Sequence, residues 1–372
     1  MNKEHRLLED LTCGLLADLQ SFQPNNTDFW RFQTRPVAHL KHWLKEQVLQ
    51  LASRAGFVRR HYSVGEVRAR LQAVLRRMDG LEEFYELLQD EHSRQLLVKL
   101  LRFRILGSRY VRLPRNEQGY WDTRMQLDHN FLVQPRTATM GSHSLHHYRL
   151  DDAHGRIELH STQLGLLCTF LLEQYAYRKT PVPVQAEEGE TVIDAGGCYG
   201  DTALYFAHRV GARGKVYCFE FVPSNLDLLR ANLTLNPDLA GRIKLVEQPV
   251  WAASGESLRF HFDGPSTRLA TEGDAQAVEF ATRSIDDLVA REQIERVGFI
   301  KMDIEGAELP ALQGAEQTIR AHRPKLAISV YHKDDDFVRI PAYLHRLGVG
   351  YEFFLDHFTI FGEETILFAR PV

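Results

Sequence analysis

From Thr191 to the C-terminus, short apolar segments alternate with segments whose apolar residues recur at three- and four-residue spacing. The short segments are typical of buried β-strands, and the periodic segments are typical of amphipathic helices. This alternation predicts a mostly parallel sheet with helices on both faces, and such sheets bind ligands beyond the carboxyl ends of their strands. The predicted strands are 191–195, 215–221, 243–248, 297–304, 325–332, 351–357 and 364–370, the last two antiparallel, and helices are predicted at 202–211, 223–236, 307–321 and 338–347.

A glycine-rich turn, within VIDAGGCYGDTAL (192–204), follows the first predicted strand. Gly196, Gly197 and Gly200 carry no Cβ, so the backbone can approach a ligand closely. A dinucleotide fingerprint needs a glycine where this chain has Cys198, and the turn has no basic residue for a pyrophosphate. The acidic Asp194 at the strand end suits a cationic amino-acid group instead, such as that of S-adenosylmethionine (SAM).

Glu220 ends the next predicted strand, 26 residues after Asp194. A carboxylate at this position can accept hydrogen bonds from both hydroxyls of a ribose. The spacing suits SAM and NAD alike, so the turn decides between them and favours SAM. The alternative interpretation is a generic strand-to-helix turn that binds neither.

Five ordered segments carry a more specific signal. They are VIDAGGCYGDTAL, VYCFEFVPSNLDLLRANL (216–233), FIKMDIEGAEL (299–309), LAISVYHKDDD (326–336) and ETILFA (364–369). Together they make roughly residues 160–372 resemble the FkbM-type methyltransferases. The resemblance implies an α/β, Rossmann-like class I methyltransferase fold with a seven-stranded sheet. It also implies O-methylation of a hydroxyl on a saccharide or glycosylated natural product, with SAM as the cofactor.

The same resemblance implies a cofactor site at the ends of the first three predicted strands. Its residues are Asp194, Gly196, Gly197, Tyr199 and Gly200 for the methionine part, Glu220 for the ribose, and Phe221, Gln248 and Pro249 around the adenine. Pro249 is a small departure, because the family often places a less rigid residue there.

Acidic and histidine side chains follow three later strands that should end at the same edge of the sheet. An alcohol has a pKa far above neutrality, so a nearby group must accept or acidify its proton. We predict a catalytic set of Asp303, Glu305, His332 and His357, with His332 as general base. Alternatively, Asp303 and His332 bind a divalent metal, for which Mn²⁺ or Fe²⁺ suits better than Mg²⁺. Glu305 and Glu308 also suit the electrostatics of a helix N-terminus.

The first 125 residues match none of these motifs, and their apolar spacing predicts helices at 39–56, 64–78, 81–89 and 92–106. A β-hairpin is predicted from 144–150 and 156–161, and a helix is predicted at 162–177. The histidines around the hairpin are expected to line a substrate entrance; they are His143, His146, His147, His154 and His160. We therefore predict a helical domain (1–125), a connecting segment (126–185) and a methyltransferase domain (186–372). The helical domain is expected to select the acceptor or to form a homo-oligomer.

Composition bears on the cellular location and on the expected partner of the chain. No apolar run approaches the roughly 20 residues that span a bilayer, and the start of the chain lacks the apolar core of a signal peptide. The four cysteines form no CxxC pair, which predicts reduced thiols and a cytoplasmic protein. Residues 1–125 contain 21 Lys and Arg against 15 Asp and Glu, which we interpret as a solvated helical surface. The resemblance implies a small-molecule or saccharide acceptor as the partner, and the composition gives no strong signal for nucleic acid.

Three rival functions remain open from sequence. N-methylation of a small amine would need less help from a base. An NAD-dependent oxidoreductase is disfavoured by the turn and by KMDIEGAE (301–308). A catalytically inactive SAM-fold binding protein is disfavoured by the presence of Asp194, Glu220 and Asp303.

Overall fold

The computed structural model describes residues 6–20, 64–108, 110–140, 143–152, 155–262, 267–270, 274 and 276–372. The helix predicted at 39–56 and the turn of the predicted hairpin at 153–154 lie outside the described residues.

The described residues contain five helices before the first strand. They are α1 (Arg6–Gln20), α2 (Val64–Leu75), α3 (Met78–Leu87), α4 (Glu91–Leu106) and α5 (Gln118–Phe131). Asp90 caps α4 by accepting a hydrogen bond from the backbone N–H of Ser93 (2.8 Å), and Gly107 ends it with a φ of +78°. None of the described helices is both long and apolar enough to cross a membrane.

A three-stranded antiparallel sheet follows, formed by β1 (Leu132–Met140), β2 (His143–Asp152) and β3 (Gly155–Ser161). The predicted hairpin corresponds to β2 and β3. Sequence patterning missed β1, because it is largely exposed and its register with β2 is irregular. The helix predicted at 162–177 is shorter than expected: α6 (Gln163–Leu166) continues only as a π-helical segment, Leu167–Leu171.

The remaining strands form two sheets. In chain order they are β4 (Thr191–Ala195), β5 (Lys215–Phe219), β6 (Ile243–Val246), β7 (Ser257–His261), β8 (Arg268–Leu269), β9 (Val278–Ala281), β10 (Phe299–Met302), β11 (Lys325–Ser329), β12 (Tyr351–His357) and β13 (Thr365–Pro371). Strands β8-β7-β9 form a small antiparallel sheet, and the other seven form the central sheet in the order β12-β13-β11-β10-β4-β5-β6. Strand β13 is antiparallel to both of its neighbours, and the other pairs are parallel. The predicted Rossmann-like, mostly parallel seven-stranded sheet is confirmed.

The chain changes direction across the sheet at β4. It first builds outward through β5 and β6, and it then returns to place β10 on the other side of β4. Doubly wound sheets bind ligands at this kind of switch point, beyond the carboxyl ends of the strands. The crevice between the ends of β4 and β10 is therefore the expected site.

Helices connect these strands and cover both faces of the sheet. They are α7 (Asp201–Arg209), α8 (Pro223–Leu235), α9 (Pro237–Ala240), α10 (Ile285–Arg291), α11 (Glu308–Gln313), α12 (Glu316–His322) and α13 (Asp336–Arg346). The single helix predicted at 307–321 is divided into α11 and α12 at Gly314 and Ala315. A Cβ on Gly314 would lie 2.1 Å from the carbonyl oxygen of Trp251, so tertiary packing sets this break.

The described N-terminal helices pack directly on one face of the central sheet. Leu97 and Leu101 of α4 share an apolar core with Ile300 of β10 and Phe353 of β12. The backbone N–H of Leu355 also donates to the Ser93 hydroxyl (2.8 Å). These helices therefore bury apolar residues of the sheet as well as their own. The domain boundaries at 125/126 and 185/186 stay a prediction.

Candidate active site

Two connected chambers open at the carboxyl ends of β4, β5 and β10. The apolar chamber, of about 280 Å³, is lined by Phe219, Glu220, Phe221, Pro249, Phe260 and Ile304 among others. The polar chamber, of about 630 Å³, is lined by Arg124, His143, His146, Asp201, Tyr331 and His332 among others. Gly196, Cys198, Asp303 and Glu305 line both chambers, so the two spaces meet there.

The glycines of the turn after β4 allow a close approach of two backbone segments. Gly196 and Gly200 have φ angles of +91° and +89°, in the left-handed region that favours glycine. A Cβ on Gly196 would lie 2.0 Å from the carbonyl oxygen of Asp303, and a Cβ on Gly197 would lie 2.1 Å from the sulfur of Cys218. The predicted need for glycine is therefore explained first by contacts with neighbouring strands.

Two residues other than glycine adopt left-handed backbone where the chambers meet. Cys198 in the turn after β4 has a φ of +44°, and Glu305 in the turn after β10 has a φ of +54°. Such conformations cost free energy and are concentrated at functional sites. Nothing in the local sequence at these two positions predicts them.

Asp194 does not face the chambers as predicted. Its side chain is fully buried, with Oδ1 3.1 Å from Nζ of Lys301 and with Oδ2 accepting a hydrogen bond from the Thr202 hydroxyl (2.7 Å). Lys301 also donates to the carbonyl oxygens of Ala195 (3.2 Å) and Gly196 (2.6 Å). Asp194 and Lys301 thus support the glycine turn from beneath.

Sequence reasoning missed Lys301, although a lysine within the apolar strand FIKM was a signal. Burial alone would lower the pKa of its ammonium, but the charges of Asp194 and Asp303 outweigh burial and raise it. Lys301 is therefore a buried cation paired with carboxylates on both sides of the switch point.

Glu220 lies at the end of β5 and lines the apolar chamber, as predicted. Its Oε1 accepts hydrogen bonds from the backbone N–H groups of Phe221 (2.6 Å) and Val222 (2.7 Å), and Oε2 accepts one from the Asn225 amide (3.3 Å). Burial raises the pKa of Glu220 to about 7, although these donors partly oppose the rise. These donors hold the Glu220 carboxylate in one orientation, in which it could accept hydrogen bonds from ligand hydroxyls in the apolar chamber.

Aromatic and apolar side chains form the rest of the apolar chamber. The ring of Phe221 lies 4.6 Å from that of Phe260 and 5.2 Å from that of Phe280, between ring centroids. Gln248 and Pro249 line the same chamber. Sequence reasoning missed Phe260, because it belongs to β7 of the small sheet and only tertiary packing brings it here.

Asp303 sits where the chambers meet and accepts hydrogen bonds from two tyrosines. The Tyr175 hydroxyl donates to Oδ2 (3.0 Å), and the Tyr331 hydroxyl donates to Oδ1 (3.1 Å). Burial alone would raise the pKa of Asp303, but the positive charges of His332 and Lys301 lower it below its usual value. Asp303 is thus an ionised carboxylate at the junction, and Tyr175 is a partner that sequence reasoning missed.

His332 lies among three carboxylates. Its Nε2 is 3.4 Å from Oδ1 of Asp303 and 3.7 Å from Oε2 of Glu305, while Nδ1 is 2.9 Å from Oε1 of Glu308. Burial alone would lower the pKa of His332, but the hydrogen bond and charge of Glu308, with the charges of Asp303 and Glu305, raise it to about 10. A ring that carries both protons cannot accept another, which argues against the predicted general base.

His357 is not brought to this cluster. It is buried at the end of β12, its Nδ1 lies 2.9 Å from the Thr365 hydroxyl, and it lines neither chamber. The strand order separates β12 from β10 by two strands, β13 and β11. The prediction that His357 is catalytic therefore has no geometric support.

We expect His357 to lower stability in acid. Burial lowers its pKa to about 4, so the unfolded chain binds a proton that the folded chain refuses. Its stabilising contribution is complete above about pH 6.5 and is lost as the pH falls, by about 2–3 kcal/mol by pH 4. Urea unfolding at several pH values should show this loss, and His357→Gln should flatten it. An identical pH profile in the variant would contradict the assignment.

The other wall of the polar chamber comes from the three-stranded sheet and from α6. Of the five histidines predicted at the entrance, His143 and His146 line it, His147 and His160 do not, and His154 lies outside the described residues. Arg124 is the described residue of the predicted helical domain that lines it. The side chain of Tyr199, predicted for the cofactor, also lies on this side, where its hydroxyl is 3.3 Å from the Ser161 hydroxyl. The expected role of the N-terminal helices in acceptor choice or self-association stays a prediction.

Comparison with known proteins finds a family similar to the part of the chain around these chambers. Residues 194–353 match the methyltransferase FkbM domain. The methyltransferase sdnD of Sordaria araneosa is 25% identical over 158 residues, which cover 34% of this chain and 60% of that protein. The crystal structure of the methyltransferase FkbM from Methylobacillus flagellatus KT is similar over 80% of this chain and 59% of its own, with a TM-score of 0.51 and 22% identity. This chain thus spans less than two thirds of each relative, and the structural likeness supports the fold.

Proposed function

We propose that this chain transfers a methyl group from SAM to a hydroxyl of a saccharide or glycosylated natural product, because residues 194–353 match the methyltransferase FkbM domain. The observation that carries the proposal is the meeting of two unlike chambers. One is mainly apolar and has the oriented carboxylate of Glu220 in its wall, the other is polar, and they join at Gly196 and Asp303. A nucleoside cofactor and a polar acceptor would meet at that junction.

The residues of the apolar chamber fit the adenosine part of SAM. Phe221, Pro249 and Phe260 offer apolar surface to an adenine, and Glu220 offers a carboxylate to the ribose hydroxyls. Asp194 is engaged with Lys301, so we assign the amino group of SAM to Asp201, which lines the polar chamber at the start of α7. Burial raises the pKa of Asp201 to about 6, and a bound ammonium would keep it ionised.

The residues at the junction fit the chemistry of the acceptor. When bound, SAM supplies an electrophilic methyl group on a sulfonium. The bond between the hydroxyl oxygen and methyl carbon forms as the sulfur–carbon bond breaks, and its electron pair stays on sulfur. The hydroxyl proton passes to the carboxylates of Asp303 and Glu305, which line both chambers. An oxygen becomes strongly acidic as it is methylated, so a carboxylate of low pKa suffices to accept its proton.

The test is binding followed by turnover. Calorimetry should show one SAM bound per chain and no comparable binding of NAD. A screen of sugars and glycosylated metabolites with methyl-labelled SAM should then give a labelled product and S-adenosylhomocysteine. Binding of NAD in place of SAM would indicate the oxidoreductase alternative, labelled amines would indicate N-methylation, and SAM binding with no product from any acceptor would indicate an inactive binding protein.

We expect Glu220→Gln to weaken SAM binding by about 10- to 100-fold, because hydrogen bonds to a charged group contribute about 1.5–3 kcal/mol. SAM binding selects the ionised form of Glu220, whose pKa is about 7 in the free protein. Affinity should therefore fall by about tenfold from about pH 8 to about pH 6, because the competent fraction falls by that factor. Calorimetry should show at least this fall in the parent and only about a twofold fall in Glu220→Gln, where Asp201 with its pKa of about 6 still titrates. Equal slopes in the two proteins would contradict the ribose assignment.

A further inference from the structure

Three side chains at the floor of the polar chamber form a group with the composition of a metal site. Asp303, Glu308 and His332 each present a ligand atom, and these atoms lie within 4.8 Å of one another. They lie in the turn after β10, in the first turn of α11 and in the segment after β11, so three separate elements of the fold position them. Two carboxylates and one imidazole leave coordination positions for other ligands.

An independent observation is the state of the buried polar atoms in this group. Glu308 is fully buried, and its Oε1 accepts a hydrogen bond from the backbone N–H of Ile304 (2.9 Å). Within the described part of the chain, its Oε2 makes no hydrogen bond. The His332 side chain is only 7% exposed and lines the polar chamber. A buried carboxylate oxygen without a partner costs free energy, so Oε2 of Glu308 indicates that a ligand binds at this position.

The charges around His332 also favour a bound cation. Glu305 lies 3.7 Å from His332 and lines both chambers, so three carboxylates surround one imidazole. Lys301 lies beneath and pairs with Asp194. A cation at this position would neutralise the excess negative charge and replace a ring proton of His332, as metal binding to histidine requires.

We propose that Asp303, Glu308 and His332 bind one divalent cation of the Mn²⁺ type, which faces the polar chamber. Mixed oxygen and imidazole ligands suit Mn²⁺ better than Mg²⁺. If the proposed function is correct, the cation would hold the acceptor oxygen beside the methyl donor. Asp303 would then serve as its ligand, and Glu305 alone would accept the hydroxyl proton. Glu308 then becomes a functional residue, although its position at a helix start also suits a structural role.

Binding should be measured on the full chain after dialysis against a chelator, with Mn²⁺ alone as the probe. Calorimetry should give one Mn²⁺ per chain, with at least tenfold weaker binding of Mg²⁺. Glu308→Gln and Asp303→Asn should each weaken Mn²⁺ binding by at least tenfold. The matched control is Glu316→Gln on α12, which removes a carboxylate outside the chambers and should leave affinity unchanged. Equal affinities in all four proteins, or no saturable binding, would overturn the proposal.

A spectroscopic measurement avoids dependence on variants that fold poorly. Pulsed electron paramagnetic resonance of the Mn²⁺-loaded parent should show coupling to one imidazole nitrogen, and His332→Gln should lose it. Absence of nitrogen coupling in the parent would overturn the proposed ligand set. The proposed function is tested separately: SAM binding and methyl transfer without saturable Mn²⁺ binding would refute the metal site alone, whereas Mn²⁺ binding without SAM binding would refute the function alone.

Discussion

Replacing Asp303 by asparagine should reduce methyl transfer by about 10²- to 10⁴-fold, the usual contribution of a positioned acid–base group. The variant should bind SAM about as tightly as the parent, because Glu220 and Phe221, the proposed nucleoside contacts of the apolar chamber, are unchanged. Asparagine keeps the size of Asp303 and can still accept a hydrogen bond from Tyr175 or Tyr331, so the loss isolates the negative charge.

Single-turnover rates with labelled SAM, together with calorimetry, would check this result. Glu316→Gln is again the matched control and should retain the parent's rate. A variant of Asp303 that binds SAM and reacts within a few-fold of the parent would remove Asp303 from the reaction. Loss of SAM binding as well would move Asp303 from the acceptor side to the cofactor side of the junction.

The central sheet was predictable because most of its strands are buried on both faces. Such strands appear as continuous apolar runs, and their order along the chain already indicated parallel pairing. Strand β1 was not predicted, because most of its residues are exposed and the segment therefore lacks an alternation of apolar and polar residues. The break at Gly314 was not predicted either, because a backbone contact with Trp251 causes it and no local motif marks it.

The acidic strand ends were predictable, but their partners were not. The sequence predicts that Asp194 and Glu220 both bind the cofactor, but of the two only Glu220 lines a chamber. The difference lies in the register between β4 and β10, which places Lys301 opposite Asp194. Strand order is a tertiary property, so the sequence at 191–195 could not reveal that its aspartate is already paired.

Histidine roles depended on strand order in the same way. His332 and His357 each end a predicted strand, and both were predicted to reach the site. Strand β11 adjoins β10, so His332 meets Asp303, whereas β12 lies two strands farther away. Glu308 shows the converse error, because helix-start electrostatics explained it adequately until its full burial beside His332 was known.

The buried pair of Asp194 and Lys301 should be the most sensitive point for stability. Lys301→Met should lower the free energy of unfolding by about 3–5 kcal/mol, because it leaves a buried carboxylate without its cation. The exposed fractions of the two side chains are 1% for Lys301 and 0% for Asp194, so water cannot compensate. Lys301 also holds the carbonyl oxygens of Ala195 and Gly196, and SAM binding should weaken along with stability.

The double variant Lys301→Met with Asp194→Asn should recover most of the lost stability, since it removes both buried charges and keeps an acceptor for Thr202. Urea unfolding of the parent, both single variants and the double variant gives the coupling energy. Calorimetry with SAM separates the two roles of Asp194: a purely supporting role predicts that the recovered double variant binds SAM again. A stable double variant that ignores SAM would show that Asp194 contacts the cofactor. Full stability of Lys301→Met alone would show that the turn does not depend on this pair.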